Sequence, residues 1–409
     1  MKILLNVCGS ISAYKALDIS RGLIKAGHQV RVVLSKGALQ FVIPQVFKYL
    51  GAEEVYLPED DFKYPKNLSD GNVLHIELSK WCEKFVIAPL SANTLSKMAN
   101  GEASDLMLST FLALPNNVPI LLFPAMNERM LTNPLVKENF SKLERLFPNL
   151  LTCPTEYGEL ACGDLGKGKL LDVSKIIEII PNITPIRSQD PKHFLITTGA
   201  TLAPLDPVRY LTNSSSGITG YYLALTALSL GHTVTVIAGK NSTKKLNYLE
   251  GLSGYKLIQA ITTKDFQSAA LENLEIADYY ISSAALGDIE FDICEDKLKK
   301  KQLGDTLKIN RSPDVLKEVL AKRKSHQKVV GFAAEVDLSF EMLRMKWEDK
   351  PVDLLIGTKV HNGLTQNGKI QGFENENADY KFLHEGEIVF EGSLSKKELA
   401  LNILERVLN

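Results

Sequence analysis

The feature that most constrains this sequence is a pattern that occurs twice. In each copy an apolar segment is followed by a glycine-containing loop, a helical pattern and a second apolar segment. The helical patterns end in matching junctions, Gly27-His28-x-Val30 and Gly231-His232-x-Val234. Such a unit predicts parallel strands connected through a helix. Two copies therefore predict an α/β protein with two Rossmann-like domains in tandem, a doublet and not a repeat array.

The stretch between the two copies has the composition of a linker. It contains Pro181-Asn182-Ile183-Thr184-Pro185 and Pro191, with polar residues between. Proline-rich polar stretches are typical of domain boundaries. We therefore assign residues 1–180 to a first domain, 181–191 to the linker and 192–409 to a second domain.

Composition excludes several classes of function. The net charge of -1 gives no electrostatic case for binding nucleic acid or an anionic membrane. No apolar run reaches the length of a membrane span, and Met1–Val7 reads as a first strand without the features of a signal peptide. The five cysteines include no CxxC pair, so neither a disulfide framework nor a cysteine zinc site is predicted. A cytoplasmic protein fits these properties.

The first glycine loop predicts an anion site. Cys8-Gly9-Ser10-Ile11-Ser12 follows the first strand and opens a helix, so its backbone N–H groups would face an anion, usually a phosphate. The full dinucleotide fingerprint is missing, because no second glycine stands at the required spacing and the second strand ends at Leu34-Ser35 without an acidic residue. A mononucleotide or flavin phosphate is favoured over NAD; the alternative is a loop that binds nothing.

Two later strands also end in polar loops. Ser91-Ala92-Asn93-Thr94 would cap a helix, or would supply donors and acceptors to a phosphate or a flavin edge. Pro124–Met130 follows another apolar run. Its Asn127 could hold a carboxylate and its methionines could line a flat ring, although a plain turn is the alternative. His75, which alternates with apolar neighbours, is either structural or functional.

The region 153–171 is rich in glycine. With Gly163, Gly166 and Gly168, we expect neither a stable helix nor a stable strand there, but a mobile flap. Cys162 would be exposed on this flap, where neighbouring lysines could favour its thiolate. An incidental free cysteine is the alternative.

The second half suggests a nucleoside triphosphate with its metal. Asn213-Ser214-Ser215-Ser216-Gly217 before a helix predicts an anion cradle, although ordinary loops share this composition. The basic run that begins at Lys297 could be solvated or could meet phosphates. Lys346 and Lys350 share a helix face, and Phe332 near the end of a strand could stack on a base.

Taken together, these motifs resemble two known families. The motifs of the first half are Gly9-Ser10-Ile11-Ser12-Ala13-Tyr14-Lys15, His75-Ile76-Glu77-Leu78, Ser91-Ala92-Asn93-Thr94, Pro124-Ala125-Met126-Asn127-x-x-Met130 and Ala161-Cys162-Gly163-Asp164. This half resembles the flavin-dependent cysteine decarboxylases. The motifs of the second half are Asp206-Pro207-Val208-Arg209-Tyr210, Asn213-x-Ser215-Ser216-Gly217, Lys297-Leu298-Lys299-Lys300 and Gly331-Phe332-Ala333-Ala334-Glu335. That half resembles phosphopantothenoylcysteine synthetases, and the order of the two is similar to that of the bacterial bifunctional coenzyme A biosynthesis proteins.

The resemblance implies two consecutive reactions and a flavodoxin-like flavin-binding domain followed by a nucleotide-binding synthetase domain. The second domain would activate 4′-phosphopantothenate with CTP and Mg2+ as an acyl-cytidylate, which the amine of cysteine would attack. The first domain would use FMN to oxidise and decarboxylate the product, giving 4′-phosphopantetheine. Only small molecules would be bound. Trimeric flavin domains and dimeric synthetase domains would build a homo-oligomer, in the family a dodecamer.

The resemblance also implies roles for single residues. His75 would be the acid/base group, Asn127 would hold the leaving carboxylate and Cys162 would donate a proton. Asn213 would stabilise the acyl-cytidylate and Lys297 would act at the α-phosphate. The residues expected to bind FMN are Gly9, Ser10, Ile11, Ser35, Ser91, Ala92, Asn93, Thr94 and Met126. Those expected to bind substrate or nucleotide are Arg209, Ala284, Ala285, Asp288, Ser312, Pro313, Asp314, Val315, Phe332, Lys346 and Lys350, with Asp288 also as the metal ligand.

Four positions depart from the family pattern. They are Cys8, Ser214, Ser312 and Thr358, and the last two could alter the preference for CTP. Two other functions remain open at this point. One is a flavin-dependent decarboxylase of peptidyl cysteine with a non-catalytic second domain; the other is a non-catalytic NAD-binding or scaffold protein.

Overall fold

The computed structural model describes residues 1–63, 73–160, 163–186, 188–292, 296–299, 306–360 and 377–408. The chain divides into two compact units, Met1–Arg187 and Ser188–Asn409. Each unit is built on a largely parallel sheet with helices, which confirms the predicted α/β class with two tandem domains. In the described part of the chain no helix is long and apolar enough to cross a membrane.

The first unit contains a six-stranded parallel sheet. Its strands are β1 (Lys2–Val7), β2 (Gln29–Leu34), β3 (Glu54–Tyr56), β4 (Lys84–Leu90), β5 (Ile120–Pro124) and β6 (Leu150–Thr152), followed by β7 (Glu156–Glu159) and β8 (Leu165–Lys169). Its helices are α1 (Lys15–Lys25), α2 (Pro44–Tyr49), α3 (Leu74–Trp81), α4 (Ala92–Ala99), α5 (Leu106–Leu112), α6 (Glu128–Leu131), α7 (Pro134–Leu146) and α8 (Val173–Asn182). The order β3-β2-β1-β4-β5-β6 is that of a doubly wound fold.

The sequence explains why these elements form. β1, β4 and β5 are continuous apolar runs that are buried almost throughout, as parallel strands covered on both faces require. Polar side chains at the strand ends begin the helices: Ser91 caps α4, Asp105 caps α5 and Asp172 caps α8. Because α8 ends at Asn182, the first two residues assigned to the linker are helical.

We expected no stable strand in the glycine-rich region 153–171, and this prediction was wrong. β7 and β8 pair as an antiparallel hairpin, with Gly158 opposite Gly166. Gly166 and Gly168 are two residues apart in β8, so they lie on one face of the hairpin. They allow the hairpin to approach the segment 126–128 closely. The glycines therefore serve close packing and do not prevent pairing. Cys162 lies outside the described residues.

The second unit contains an eight-stranded sheet. Its strands and two small ribbons are β9 (His193–Thr198), β10 (Leu202–Pro204), β11 (Tyr210–Thr212), β12 (Thr233–Gly239), β13 (Tyr255–Ala260), β14 (Tyr279–Ser282), β15 (Ile289–Phe291), β16 (Ile309–Arg311), β17 (Lys328–Glu335), β18 (Leu354–Lys359), β19 (Asn377–His384) and β20 (Glu387–Ser395). Its helices are α9 (Ile218–Ser229), α10 (Thr263–Leu274), α11 (Val315–Lys322), α12 (Phe340–Asp349) and α13 (Lys396–Leu408).

This sheet repeats the topology of the first and then extends it. The order is β13-β12-β9-β14-β17-β18-β19-β20, so its first six strands in chain order are arranged as in the first unit. β19 and β20 pair antiparallel at the end of the sheet, and α13 follows β20. α13 packs beside α9. In both units the parallel strands direct their carboxyl ends to one edge, where α/β proteins bind ligands.

Candidate functional site

A cavity of about 1190 Å3 opens beyond the carboxyl ends of β1, β2, β4 and β5. It includes the topological switch point between β1 and β4, where doubly wound sheets bind ligands. All the residues predicted to bind FMN line this cavity, together with Asn127: Gly9, Ser10, Ile11, Ser35, Ser91, Ala92, Asn93, Thr94 and Met126. The loops at the strand ends thus bring together residues that are far apart in the sequence.

The glycine loops after β1 and β2 lie against each other in the cavity wall. A Cβ on Gly9 would stand 2.8 Å from the Cα of Gly37, closer than real Cβ contacts allow. Ser10 Oγ accepts from the backbone N–H of Ser12 at 3.3 Å, and Ser35 Oγ accepts from Ala38 N–H at 3.2 Å. The two short loops form a compact polar wall in which backbone groups can reach a phosphate.

The loop after β4 caps a helix and also lines the cavity. Ser91 Oγ accepts from Thr94 N–H at 3.3 Å and so caps α4, and both residues also line the cavity. Cys8 lies behind this loop, fully buried, with its sulfur 3.9 Å from that of Met107. Burial raises the pKa of the Cys8 thiol to about 11, so this thiol is unsuited to act as a nucleophile.

Asn127 is both a helix cap and a cavity residue. Its Oδ1 accepts from the backbone N–H of Arg129 at 2.9 Å and caps the short helix α6. The predicted turn therefore continues into a helix that the sequence analysis did not foresee. Because the carbonyl oxygen is used for capping, a substrate carboxylate would have to meet the Nδ2 group of the amide.

The hairpin β7–β8 forms one side of the cavity. Met126 N–H donates to Gly168 O at 3.0 Å, and a Cβ on Gly168 would stand 2.0 Å from Met126 O. Gly168 also has a φ of +125°, a conformation that other residues rarely adopt. Only glycine satisfies both conditions, so Gly168 fixes the hairpin to the loop after β5.

His75 is not brought into this cavity. The segment in which His75 alternates with apolar residues lies inside α3. The imidazole Nδ1 of His75 is 2.7 Å from Oδ2 of Asp61. The backbone N–H of His75 donates to the same carboxylate at 3.1 Å. The pairing with Asp61 was not predicted, since a single carboxylate 14 residues upstream gives no periodic signal. It orients the ring and sets which ring nitrogen faces outward.

The sequence analysis also missed charged residues in the first cavity. Lys15, Lys36, Lys97 and Asp105 line it. Lys97 Nζ donates to Ser104 Oγ at 3.1 Å, and Asp105 caps α5 through the N–H of Leu108. Lys15 follows the glycine loop after β1, and Lys36 lies in the glycine loop after β2. Their positions in the sequence could have indicated cations near a bound phosphate.

A second cavity, of about 1210 Å3, lies at the carboxyl edge of the second sheet. Its wall includes Ser215–Gly217 from the predicted anion cradle. Ten of the residues predicted to bind substrate or nucleotide also line it: Ala284, Ala285, Asp288, Ser312, Pro313, Asp314, Val315, Phe332, Lys346 and Lys350. They come from the ends of β14 and β17, the start of α11, and α12.

The two predicted phosphate-binding lysines already have acidic partners. Lys346 pairs with Glu335, and Lys350 Nζ lies 2.8 Å from Asp314 Oδ2. Asp314 also caps α11 through the N–H of Lys317. All four charged side chains are partly exposed, so each ion pair is accessible to a competing anion.

Asp288 and Ser312 meet at the rim. Ser312 N–H donates to Asp288 O at 3.0 Å, while Ser312 Oγ is buried without a hydrogen-bond partner among the described residues. Within the described ranges, no cluster of three or more His, Cys, Asp or Glu side chains could hold a metal ion. An Mg2+ ion at Asp288 would take most of its ligands from water and phosphates, which is how Mg2+ usually binds with nucleotides.

Asn213, Arg209 and Lys297 do not line the second cavity. Asn213 Nδ2 donates to Ala285 O at 3.2 Å, which ties the cradle to the cavity wall. The Arg209 guanidinium pairs with Asp206 and donates to Leu298 O at 2.9 Å, and Leu298 N–H donates to Asp206 at 3.2 Å. Hydrogen bonding from Arg209 lowers the pKa of the Asp206 carboxyl. Arg209 thus fixes the backbone beside Lys297.

One part of the wall of the second cavity was anticipated from the sequence at Thr358 alone. Thr358, Tyr380 and Lys396 line it, and each is less than a tenth exposed. Lys396 Nζ donates to Tyr380 Oη at 3.0 Å. These residues come from β18, β19 and the start of α13, and no motif connects them in the sequence.

The fold and the two cavities define a protein with two ligand-binding Rossmann-like domains in one chain. Family models agree with this division: a Flavoprotein model matches residues 1–184, and a model described as DNA/pantothenate metabolism flavoprotein C-terminal domain matches residues 190–409. The Coenzyme A biosynthesis bifunctional protein CoaBC of Bacillus subtilis strain 168 is 34% identical over 411 residues, covering 99% of this chain and 96% of that protein.

Solved structures match each half. The FMN binding protein AtHal3 is 34% identical, with a TM-score of 0.39, over 44% of this chain and 94% of that one. The C-terminal domain of a coenzyme A biosynthesis bifunctional protein is 26% identical, with a TM-score of 0.41, over 53% and 93%. The chain belongs to the family of coenzyme A biosynthesis bifunctional proteins. It is a bifunctional enzyme with a flavoprotein decarboxylase domain and a ligase domain.

Proposed function

We propose that the chain ligates cysteine to 4′-phosphopantothenate with CTP and Mg2+, and then decarboxylates the product with FMN to 4′-phosphopantetheine. The observation that carries this proposal is that each unit gathers at the carboxyl edge of its own sheet most of the residues expected to bind its cofactor or its nucleotide. The reactions are those that the relatives' family name and the motifs of the two halves imply.

In the first unit, the residues fit a flavin mononucleotide. The abutting loops at Gly9 and Gly37 leave room for a phosphate beside backbone N–H groups, with Lys15 and Lys36 nearby for its charge. When bound, FMN supplies the oxidation of the cysteinyl thiol and the later return of the electrons. Asn127 would hold the substrate carboxylate through Nδ2, Met126 would contact the flavin ring, and Cys162 would supply the final proton. His75, oriented by Asp61, is the acid/base group.

In the second unit, the carboxylate of 4′-phosphopantothenate attacks the α-phosphate of CTP. An acyl-cytidylate forms and pyrophosphate leaves, and the amine of cysteine then displaces CMP. Lys346 and Lys350 would exchange their carboxylate partners for the triphosphate, and Asp288 would contact Mg2+. Asn213 positions the acyl-cytidylate beside Ala285, and Lys297 supports the charge at the α-phosphate. Arg209 positions the Lys297 segment through Asp206 and Leu298.

The remaining parts of the proposal concern the state of the protein. We assign it to the cytoplasm and to small-molecule substrates alone. We also propose a homo-oligomer with trimeric flavin domains and dimeric ligase domains, up to a dodecamer. Exposed apolar side chains such as Tyr49 and Phe62 in the first unit, and Tyr210 and Ile309 in the second, support association.

The test is a product analysis by mass spectrometry after mixing the protein with 4′-phosphopantothenate, CTP, Mg2+ and cysteine. We expect 4′-phosphopantetheine, CMP and pyrophosphate. An Asn127→Asp arm separates capping from catalysis, because aspartate keeps the α6 cap but replaces the amide donor with a negative charge. That variant should retain flavin yet accumulate the carboxylated intermediate. Absence of CMP with the unchanged protein would refute the ligase half.

A further inference from the structure

The segment 284–288 follows β14 and brings Asp288 into the wall of the second cavity. β14 lies beside β9, and these two strands form the topological switch point of the second sheet. Apart from an isolated bridge between Ala200 and Ala285, the segment has no regular secondary structure. Contacts with neighbouring loops must therefore fix its conformation.

Hydrogen bonds from other parts of the unit hold the two residues at the end of this segment. Ser312 N–H donates to Asp288 O at 3.0 Å, and Thr263 Oγ1 donates to Gly287 O at 3.3 Å. The shortest of these bonds runs from Gly287 N–H to Thr201 Oγ1, at 2.7 Å. The peptide groups on both sides of Gly287 are therefore held in place, and Asp288 comes directly after them.

Thr201 is itself firmly placed. It lies in the loop after β9, 86 positions before Gly287, and is 3% exposed. Its backbone carbonyl accepts from Thr212 Oγ1 at 2.8 Å, and β10 begins at the next residue. The hydroxyl that accepts from Gly287 therefore stands on fixed backbone. A buried side chain thus connects the loops of the two strands at the switch point.

We infer that Thr201 is the positioning residue for Asp288: by accepting from Gly287 N–H, its hydroxyl fixes the direction in which the Asp288 carboxylate meets the Mg2+ of the nucleoside triphosphate. This inference rests on the proposed CTP-dependent ligation, in which Asp288 contacts that ion. Asp288 is exposed at the cavity wall, and Mg2+ prefers oxygen ligands of this kind. Because Mg2+ demands near-ideal octahedral geometry, a rotated peptide group before Asp288 would weaken the contact.

Thr226 shows what a purely structural threonine hydroxyl looks like in the same unit. It lies in α9, and its Oγ1 donates to Tyr222 O, one helical turn earlier, at 2.8 Å. That bond stays within one helix, as is common for threonine, and connects no other part of the chain. Thr201 instead connects two loops that are far apart in the sequence, and one of them carries a residue of the cavity wall.

The experiment measures CTP binding to the full-length protein by calorimetry, with Mg2+ and again with EDTA in its place. Thr201→Val keeps the shape of the side chain but removes the acceptor. It should raise the Kd of CTP roughly 10-fold with Mg2+, because Gly287 N–H loses its partner, and less than about twofold with EDTA. Hydrogen exchange in the segment 284–288 should become about 10-fold faster. Thr201→Ser restores the hydroxyl and should restore both properties.

A double-substitution cycle with Asp288→Asn tests whether Thr201 acts through Asp288. Asp288→Asn alone should remove most of the affinity that Mg2+ adds, since the variant lacks the carboxylate. Adding Thr201→Val should then weaken binding less than about twofold further. Thr226→Val is the matched control and should leave binding unchanged. If Thr201→Val does not fold, Thr201→Cys decides, because a thiol is only a weak acceptor; it should raise the Kd with Mg2+ several-fold.

Two outcomes would overturn the inference while the proposed function stands. One is an unchanged Kd with Mg2+ in Thr201→Val. The other is a loss of the same size with EDTA, or in the Asp288→Asn background, which would assign Thr201 a general structural role. Failure of the proposed function has different signatures: Asp288→Asn would keep the full gain from Mg2+, or the unsubstituted protein would release no CMP from CTP. Either result would remove the basis of the inference as well.

Discussion

The two sheets share the order of their first six strands but differ in the elements added after the sixth strand. In the first unit the chain continues into the hairpin β7–β8, which lies against the loop after β5. In the second unit it continues into β19, β20 and α13, which widen the sheet and contribute Tyr380 and Lys396 to the cavity wall. The common core thus fixes where a ligand binds, and the additions determine which groups meet it.

The cavity walls differ accordingly. The first is formed largely by glycine backbone and small side chains, which allow loops to approach closely. The wall of the second cavity contains two ion pairs, Lys346 with Glu335 and Lys350 with Asp314. A redox cofactor that remains bound suits a wall of fixed backbone groups. A nucleotide that enters and leaves in each cycle suits side chains that can exchange partners.

The largest expected effect comes from displacing the hairpin β7–β8, which follows the sixth strand of the first unit. In Gly168→Ala the new Cβ would meet Met126 O at 2.0 Å, and the φ of +125° would be strained as well. We expect the hairpin to detach, at a cost on the order of 3 kcal/mol, with loss of flavin absorbance and of decarboxylation. Ligation, measured as CMP release in the same sample, should persist.

Gly101→Ala provides the matched control for this prediction. Gly101 also has a positive φ, +70°, but a Cβ there meets nothing within 4 Å. The Gly101→Ala substitution should lower the free energy of unfolding by about 1 kcal/mol and leave the flavin bound. If both variants lose flavin equally, backbone strain alone explains the effect and the close approach to Met126 does not matter.

The next effect concerns the long loop after β9, which has no counterpart in the first unit. Asp206 accepts from the guanidinium of Arg209 and from Leu298 N–H, and so holds the segment that carries Lys297. Asp206→Asn turns an amide N–H toward these donors, and a displaced Lys297 should lower the ligase rate on the order of 100-fold. The decarboxylase rate should not change.

The control is Asp292→Asn, at an exposed carboxylate that pairs with Lys308. It should leave the ligase rate unchanged, because exposed ion pairs contribute little. An Asp206→Asn variant with normal ligation would show that the Arg209 contacts do not position Lys297.

The smallest effect is a pH dependence confined to the second unit. His193 contacts the hydroxyls of Thr233 and Thr235, and burial lowers the pKa values of His193 and His232 below the usual 6.5. The neighbouring Asp278 opposes this shift for both histidines. The folded state therefore disfavours protonation, so stability is full above pH 6.5 and decreases as the pH falls below it.

Hydrogen exchange measured separately for the two units across this range checks the prediction. In His193→Gln the decrease in stability of the second unit toward acid pH should be shallower than in the unsubstituted protein. An identical pH dependence in both proteins would mean that His193 does not titrate in this range.

The sequence predicted the parts of the molecule that follow a regular period or a strand end. The two strand–loop–helix units predicted the fold class, and the polar loops after apolar runs predicted part of the lining of both cavities. The hairpin was missed because glycine counts say nothing about which face of a strand the glycines occupy. In β8, Gly166 and Gly168 both face the segment 126–128. This contact can be identified only in the folded structure.

Pairings between distant single residues were also out of reach. Asp61 meets His75, and Lys396 meets Tyr380, through contacts that the packing of separate elements decides. Arg209 was expected to meet a substrate, but the structure gives it an internal carboxylate partner. Residue type predicted the chemistry of these groups in each case, whereas their partners depend on tertiary structure.

The ion pairs of the second cavity have a consequence for its behaviour before any substrate arrives. Glu335 and Asp314 act as built-in counterions, so Lys346 on α12 and Lys350 directly after it do not present bare positive charge to the solvent. Small anions such as phosphate or sulfate would have to displace a tethered carboxylate for each charge they neutralise, and should therefore compete weakly. A triphosphate that engaged both lysines at once would gain from multivalency what single anions lack. The cavity would then discriminate by the number of simultaneous charges, and not by charge alone.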